Sequence, residues 1–283
     1  MKIAIASGKG GTGKTTIATN LACSIARMGH AAQYLDCDVE EPNGHIFLKP
    51  EIEETQNVTI AVPEVDTERC NGCGKCGQLC QYSAIVCLKD TVMTFDQLCH
   101  SCGGCMAVCP QSAIKEKQRK IGIAEFGKAN GVLYGAGKLD IGAIQSPALI
   151  KHVKHKATDS VTVVIDVPPG TSCPVIEAVK GSDFVLLVTE PTPFGLNDLE
   201  LAVEMIRELQ LPFAVAINRC DIGDDRVVEY CQKENIDILL EIPNDRLIAE
   251  AYSQGIKIID ALPGYEETFM HLYQKINANV GVT

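Results

Sequence analysis

Residues 8–16 read GKGGTGKTT and follow a short apolar run at residues 2–6. The letters contain the phosphate-loop pattern, which is a glycine, four residues, a second glycine, a lysine and a threonine. The glycines let backbone N–H groups turn toward a polyphosphate, and the N-terminus of the helix predicted at residues 17–28 faces the same anion. In this pattern Lys14 reaches the β- and γ-phosphates and Thr15 holds Mg²⁺. We therefore predict a nucleotide site formed by Gly8, Gly10, Gly11, Thr12, Gly13, Lys14, Thr15 and Thr16.

A second lysine, Lys9, lies inside this loop, where an ordinary phosphate loop accepts any residue. With both lysines in register, the loop resembles the deviant phosphate loop of the MinD, ParA, Mrp and nitrogenase iron-protein superfamily. In that superfamily the additional lysine reaches the nucleotide of a partner subunit. The resemblance implies an ATPase that binds ATP or ADP with Mg²⁺ and forms a homodimer with ATP, and it makes Lys9 and Lys14 catalytic residues. A glycine-rich turn with two solvated lysines is the alternative.

Two carboxylates follow the second predicted strand, which spans residues 31–38 and ends in LDCD. Asp36 and Asp38 would lie at the carboxyl edge of a parallel sheet, where open α/β folds bind ligands. In the superfamily that the chain resembles, the matching aspartates form switch I. The resemblance implies that Asp38 positions the attacking water and that Asp36 supports the Mg²⁺ shell. A strand-end turn with exposed acids is the alternative.

A buried strand is predicted at residues 161–167, within SVTVVIDVPPGTSCPVI. Asp166 near its end and Gly170 after it resemble the switch II loop of the superfamily, which makes Asp166 a catalytic residue at the Mg²⁺ shell. Cys173 follows Asp166 at the spacing of the nitrogenase iron protein, where that cysteine helps bind a cluster across the dimer axis. A second such cysteine has no convincing counterpart at residues 127–150. Cys173 is therefore either a packing residue or a redox relay or ligand.

Three further strands are predicted from continuous apolar runs at residues 184–189, 213–217 and 236–242. Asn218 resembles the strand-end asparagine that reads adenine in the superfamily, and Pro243 would begin the second wall of the base pocket. Apolar spacing predicts helices at residues 195–209, 245–254 and 265–277. Asn197 or Asp198 is the expected N-cap of the first of these helices.

Nine of the fourteen cysteines lie between Cys70 and Cys109. Residues 70–80 read CNGCGKCGQLC and residues 99–110 read CHSCGGCMAVCP. This repeated spacing winds each loop around a [4Fe-4S] cluster, with three thiolates on one cluster and the fourth on the other. It resembles two-cluster bacterial-type ferredoxins over about residues 66–115. The first predicted cluster takes Cys70, Cys73, Cys76 and Cys109, and the second takes Cys80, Cys99, Cys102 and Cys105.

Further residues of the cysteine-rich segment support a duplicated motif. One alternative to iron remains for the bound metal. The residues YSAI at 82–85 and QSAI at 111–114 follow the two motifs at the same offset. Gln81 replaces the proline expected after Cys80, and Cys87 lies outside both motifs, where we expect it to pack. Zinc is the alternative metal, because CxxC pairs also bind zinc.

These elements predict an α/β fold with a mostly parallel sheet flanked by helices and a small inserted α+β ferredoxin-like domain. We expect the ATPase domain at residues 1–65 and 116–283 and the insert at residues 66–115. Residues 40–63 look like a loop with a short alternation at 57–62, and residues 116–158 have no clear pattern.

The charge and the hydropathy of the chain limit the classes of partner that it can bind. A net charge of −11 argues against nucleic acid, since phosphate neutralisation needs a basic face. The N-terminus is predicted as a strand rather than a signal peptide, and no apolar run is long enough to span a bilayer, so we expect a cytoplasmic protein. The predicted last helix has only one cation, Lys275, whereas a membrane-binding amphipathic helix is basic, so we do not expect stable membrane attachment.

Two hypotheses about function account for both motif sets. The first is an ATP-driven redox protein that transfers electrons between a donor and an acceptor. The second, suggested by Mrp-type relatives, is an assembly factor or carrier that delivers iron–sulfur or metal cofactors to an apo metalloprotein. A MinD- or ParA-type spatial organiser leaves the cysteines unexplained, and an ATP-dependent carboxylate ligase has no visible substrate site.

Overall fold

The computed structural model describes residues 1–89 and 91–281. Buried, mainly apolar runs form the central strands of its main sheet, and segments with apolar spacing form its longer helices. The strands are β1 (Lys2–Ala6), β2 (Ala32–Asp36), β3 (Glu51–Val65), β4 (Ile85–Leu88), β5 (Thr91–Thr94), β6 (Ile114–Ala129), β7 (Val132–Leu139), β8 (Thr162–Asp166), β9 (Phe184–Thr189), β10 (Phe213–Asn218) and β11 (Ile238–Ile242). The helices are α1 (Lys14–Arg27), α2 (Gly44–Leu48), α3 (Lys75–Leu79), α4 (Gly104–Ala107), α5 (Ser146–Lys154), α6 (Cys173–Val179), α7 (Pro193–Glu208), α8 (Arg226–Lys233), α9 (Arg246–Ser253), α10 (Ile258–Ala261) and α11 (Gly264–Val280).

Nine of the described strands form one sheet in the order β11-β10-β9-β1-β8-β2-β7-β6-β3. Neighbouring strands from β11 to β7 are parallel, which brings the ends of β1, β2 and β8 to one edge. Large apolar clusters cover the two faces of the sheet. The mostly parallel α/β fold predicted from the sequence is thereby confirmed.

The far edge of the sheet is antiparallel. β6 pairs with β7, and β3 pairs with β6 from Glu51 opposite Lys128 to Val65 opposite Ile114. The expectation of a loop at residues 40–63 was wrong, because α2 and most of β3 lie there. β3 is an edge strand whose first half is largely exposed, so the sequence of that half lacks the alternation of a half-buried strand. The alternation at residues 57–62 lies in its second half. The unassigned residues 116–158 contain most of β6, all of β7 and α5.

The cysteine-rich segment connects the paired ends of β3 and β6. It contains α3, α4, a short 3₁₀ turn at Asp96–Leu98 and a two-stranded antiparallel sheet of β4 and β5. Ile85, Ile114 and Cys76 form a small apolar cluster of its own. Domain boundaries at residues 65/66 and 115/116 remain a proposal.

One predicted helix cap is wrong. α7 begins at Pro193, and the Oγ1 of Thr192 accepts a hydrogen bond of 3.0 Å from the Gly195 N–H. Asn197 and Asp198 therefore lie inside the helix. Among the residues that the structure describes, no helix is both long and apolar enough to cross a membrane.

Candidate functional site

The phosphate loop connects β1 to α1. Glycine is required at particular positions of this loop, either by a positive φ angle or by close packing against another element. Gly11 and Gly13 adopt positive φ angles of 80° and 95°, which a side chain would strain. Gly8 lies against α7, since a Cβ at Gly8 would be 2.0 Å from the Asp198 carbonyl oxygen. α1 begins at Lys14 directly after the loop, so its N-terminal N–H groups point toward any phosphate held there.

Lys14 is tied to the loop by its ammonium group. Its Nζ donates to Ser7 Oγ at 2.9 Å and to the Lys9 carbonyl oxygen at 3.4 Å. The residue is 6% exposed. Burial lowers the pKa of Lys14, and the negative charges of Asp166 and Asp38 oppose that change. The ammonium form of Lys14 is therefore stabilised mainly by nearby negative charges, and a bound phosphate would add to that stabilisation.

Asp166 ends β8 beside the phosphate loop. Its Oδ2 accepts a hydrogen bond of 2.9 Å from the Tyr34 hydroxyl, and Oδ1 has no hydrogen-bond partner within the described residues. Burial raises the pKa of Asp166, while Thr15, Lys14 and Tyr34 oppose the rise. A buried carboxylate oxygen without a partner, next to a threonine hydroxyl, fits a place in the shell of Mg²⁺.

Asp36 and Asp38 have different surroundings. Asp36 is fully buried, and its two carboxylate oxygens accept from the backbone N–H groups of Gly44 at 2.9 Å and Asp38 at 3.2 Å. Asp36 therefore shapes the loop after β2, and its support of the Mg²⁺ shell remains a prediction. Asp38 lines the nucleotide pocket. Burial, followed by the charge of Asp166, raises the pKa of Asp38 to about 6.

A cavity of about 350 Å³ extends from the phosphate loop to the ends of β10 and β11. Asn218 and Pro243 both line it, as the sequence predicts for a base pocket. The Asn218 Nδ2 donates to the Thr12 carbonyl oxygen at 2.9 Å, so this side chain also fixes the loop. Ile248 and Tyr252 of α9 add an apolar wall that sequence reasoning missed, although the helix itself was predicted.

Lys9 forms an ion pair that the sequence did not indicate. Its Nζ is 3.6 Å from Oε2 of Glu190, and Nη1 of Arg219 is 2.9 Å from Oε1 of the same carboxylate. Glu190 directly follows β9. Its position at the carboxyl end of a parallel strand was the signal that could have found it.

The cysteines line two cavities. Cys70, Cys73, Cys76 and Cys109 face one, and Cys80, Cys99, Cys102 and Cys105 face the other. These are the two predicted ligand sets, each with three cysteines of one motif and the last cysteine of the other. Among residues 1–89 and 91–281, no group of three or more His, Cys, Asp or Glu side chains is arranged to hold a single metal ion. The cluster assignments remain predictions.

Backbone N–H groups surround several of these sulfurs. The Ser101 N–H donates to Cys99 Sγ at 3.4 Å, and the Ala113 N–H donates to Cys109 Sγ at 3.3 Å. At Cys80, burial opposes ionisation, but backbone N–H groups of residues 82–85 outweigh it and lower the pKa of the thiol. Such donors stabilise thiolates, which is the form that ligates iron. Burial instead raises the pKa of Cys76 and Cys105. The fit to iron–sulfur clusters therefore rests on the two sets of four sulfurs that line the cavities.

The remaining cysteines of interest are Cys173 and Cys87. Cys173 is the first residue of α6 and is exposed, so the packing alternative was wrong for this residue. Cys87 is half-buried, and its Sγ donates to the Gly72 and Lys89 carbonyl oxygens at 3.5 and 3.3 Å.

Comparison with known proteins gives one family match and several relatives. The family model of the CobQ/CobB/MinD/ParA nucleotide binding domain matches residues 3–258. An uncharacterized protein of Methanocaldococcus jannaschii is 32% identical, over 98% of this chain and 96% of its own length. A Pyrococcus horikoshii protein named iron-sulfur cluster carrier protein is 28% identical, over 97% of this chain and 85% of its own. In fold, the chain is similar to the P. horikoshii septum site-determining protein MinD bound to Mg-ADP, with a TM-score of 0.63, 20% identity, and coverage of 99% and 97% of the two chains.

Proposed function

The chain belongs to the CobQ/CobB/MinD/ParA family of nucleotide-binding domains and is a P-loop ATPase, and from this we propose that its ATP cycle is coupled to electron transfer. In the proposed reaction a low-potential donor delivers one electron to the cysteine-rich segment, and the electron leaves to an acceptor protein. The observation that supports it most is the division of eight cysteines into two crossed sets of four. When bound, [4Fe-4S] clusters supply one-electron redox chemistry at these sites.

The residues of the nucleotide pocket have separate tasks in this proposal. The phosphate loop and Lys14 hold the β- and γ-phosphates, and Thr15 and Asp166 hold the Mg²⁺ that accompanies them. Asp38 lines the pocket and has a raised pKa of about 6, so it is mainly charged at neutral pH and can orient a water molecule toward the γ-phosphate. Lys9 contacts the nucleotide of a second copy, so we propose a homodimer with ATP.

Hydrogen bonds connect α5 with the cysteine-rich segment at one end and with α6 at the other. Gln145 precedes α5, and its Nε2 donates to the Cys99 carbonyl oxygen at 2.7 Å. At the other end of α5, Lys154 Nζ donates to the carbonyl oxygens of Glu177 and Lys180 at 2.6 and 2.7 Å. Glu177 lies in the last turn of α6 and Lys180 directly follows that helix, which comes after Asp166 and Gly170 in the chain. A movement of the Asp166 loop could therefore be transmitted through α6 and α5 to Cys99.

Electron transfer from the reduced protein tests this proposal. Anaerobically reduced protein is mixed in a stopped-flow instrument with a one-electron acceptor dye, with and without MgATP. We expect MgATP to change the rate of reoxidation in wild type but not in Lys14→Ala. Equal rates under all conditions would contradict the coupling.

Delivery of iron–sulfur clusters is a second candidate function. Two observations favour it: relatives carry the name iron-sulfur cluster carrier protein, and Cys173 is exposed next to the Asp166 loop. The recipient would be an apo metalloprotein. Transfer of a reconstituted cluster to an apo-ferredoxin should then fall in Cys173→Ser, whereas transfer that is unaffected by this change would exclude Cys173 as the donor.

A further inference from the structure

Glu190 holds the Lys9 side chain within its own subunit. The Lys9 Nζ and Glu190 Oε2 are 3.6 Å apart, and the Glu190 side chain is only 11% exposed. Lys9 itself is 29% exposed. Because water screens this pair less than a pair on the open surface, the contact gives Lys9 a preferred position.

Backbone contacts around Glu190 hold this residue in place. The Glu190 carbonyl oxygen accepts from the Thr192 N–H at 2.8 Å. A Cβ at Gly195 would be 2.2 Å from the same oxygen, so the first turn of α7 packs directly on Glu190. Since α7 also contacts Gly8, the carboxylate and the phosphate loop share one rigid support.

Arg219 completes the arrangement. Its Nη1 is 2.9 Å from Oε1 of Glu190, so the carboxylate has a second cation on its other oxygen. If Lys9 leaves, Glu190 still has this partner. The contact can therefore open without leaving a largely buried carboxylate unpaired, which would be costly.

We propose that Glu190 is a positioning residue that restrains Lys9 and so raises the protein concentration needed for ATP-dependent association of two subunits. This inference rests on the proposed function, in which Lys9 contacts the nucleotide of a second copy. An ammonium group that is paired with Glu190 must give up that pair to reach a phosphate of another subunit. Each dimer requires two such exchanges.

The variant Glu190→Gln tests the restraint, because it keeps the size of the side chain and removes its charge. An ion pair of this kind changes an equilibrium by about 2- to 5-fold. With two pairs per dimer, the dimer dissociation constant should fall by about 4- to 25-fold, since the two effects multiply. Sedimentation velocity with MgATP measures it, in an Asp38→Asn background that slows hydrolysis.

Two controls separate the restraint from other effects. Glu234→Gln makes the same change of net charge at the exposed pair with Arg207 and should leave the dissociation constant unchanged. Glu190→Gln added to Lys9→Ala should associate as weakly as Lys9→Ala alone, because the effect acts through Lys9. Thermal unfolding confirms that each variant is folded, and Glu190→Asp, with a shorter charged side chain, should fall between wild type and Glu190→Gln.

The outcomes distinguish the inference from the function on which it rests. If Lys9→Ala associates weakly and Glu190→Gln associates like wild type or more weakly, Glu190 does not restrain Lys9. The same conclusion follows if Glu190→Gln still has its effect without Lys9. If Lys9→Ala dimerises like wild type, the proposed contact between subunits is itself wrong, and the restraint is overturned with it.

Discussion

The hydroxyl of Tyr34 donates a hydrogen bond of 2.9 Å to Oδ2 of Asp166, and both residues are almost completely buried. Tyr34 lies on β2 and Asp166 ends β8, in neighbouring strands of the parallel sheet. The bond orients a carboxylate whose other oxygen is buried without a hydrogen-bond partner in the described residues, near Thr15 and Lys14 of the phosphate loop. Tyr34 therefore connects the core of the sheet with the proposed Mg²⁺ site.

Replacing Tyr34 with phenylalanine removes this donor and keeps the ring. We expect the free energy of unfolding to fall by about 1–3 kcal/mol, because a buried carboxylate oxygen loses its partner. Mg²⁺-dependent nucleotide affinity should fall as well. Denaturant unfolding and nucleotide titration measure the two effects.

Tyr134→Phe is the matched control for that variant. The Tyr134 ring lies 6.1 Å from the Tyr34 ring, and its hydroxyl has no hydrogen bond within the part of the chain that the structure describes. This variant should behave like wild type in both measurements. Equal losses in the two variants would show that the Tyr34 hydroxyl has no special role.

Substitution of Lys14 and substitution of Lys9 should have different effects on nucleotide binding and dimerisation. Lys14→Ala should abolish nucleotide binding, because Lys14 is the buried cation of the loop that we propose holds the phosphates. Lys9→Ala should keep nucleotide binding in the monomer and lose ATP-dependent dimerisation. Fluorescent-nucleotide titration and sedimentation velocity measure these properties, and normal dimerisation of both variants would contradict this assignment.

The crossed cysteine sets predict which substitutions act on the same cluster. Cys109→Ser should give the same altered EPR spectrum as Cys70→Ser, and Cys80→Ser should match Cys99→Ser. Each variant should lose about half of the iron when one of two clusters is lost. Cys87→Ser is the control and should keep full iron content. A pairing of Cys109 with Cys99 in spectrum and iron loss would overturn the assignment.

A group of ion pairs at the C-terminal end of α1 predicts how the stability of the protein depends on pH. Asp260 contacts Arg27 and lies 2.7 Å from the Lys257 Nζ. Burial raises the pKa of Asp260, but these cations outweigh it and lower the pKa below its ordinary value of 3.8. The charged form thus stabilises the fold above that ordinary value, and the contribution disappears as the pH falls through the lowered pKa.

Asp260→Asn should accordingly destabilise the protein by about 1–2 kcal/mol at pH 7, because it leaves the buried Lys257 without its charged partner. The difference from wild type should shrink at acid pH. Asp224→Asn, at the exposed pair with Arg226, is the control and should have little effect. Urea unfolding at several pH values measures both, and a pH-independent loss in Asp260→Asn would contradict the assigned cause.

Sequence patterns predicted the parts of the fold that local chemistry determines. The phosphate loop is a continuous stretch, and β8 and β9 are buried on both faces, so their apolar runs are unmistakable. Most of β3 was missed because an edge strand with exposed polar residues such as Glu53 and Glu54 has no such pattern. Its long pairing with β6 depends on tertiary contacts alone.

The same distinction applies to the site. Lys14, Thr15 and the cysteine motifs are recognised from spacing within short segments. Glu190 and Tyr34 act through contacts with residues far away in the chain. The position of Glu190 after a predicted strand marks it as a site candidate, but nothing local pairs it with Lys9 or pairs Tyr34 with Asp166. These pairings between distant parts of the chain could therefore be identified only from the structure.

The reduction potentials of the proposed iron–sulfur clusters test the central claim most directly. EPR-monitored redox titration of the anaerobic protein should give different midpoint potentials with and without MgATP, and Lys14→Ala should show no difference. A tenfold change in a one-electron equilibrium corresponds to about 59 mV, so a shift of several tens of millivolts is measurable. Identical midpoint potentials in the presence and absence of MgATP, in protein that binds the nucleotide and holds both clusters, would contradict coupling between the ATP cycle and the redox centres.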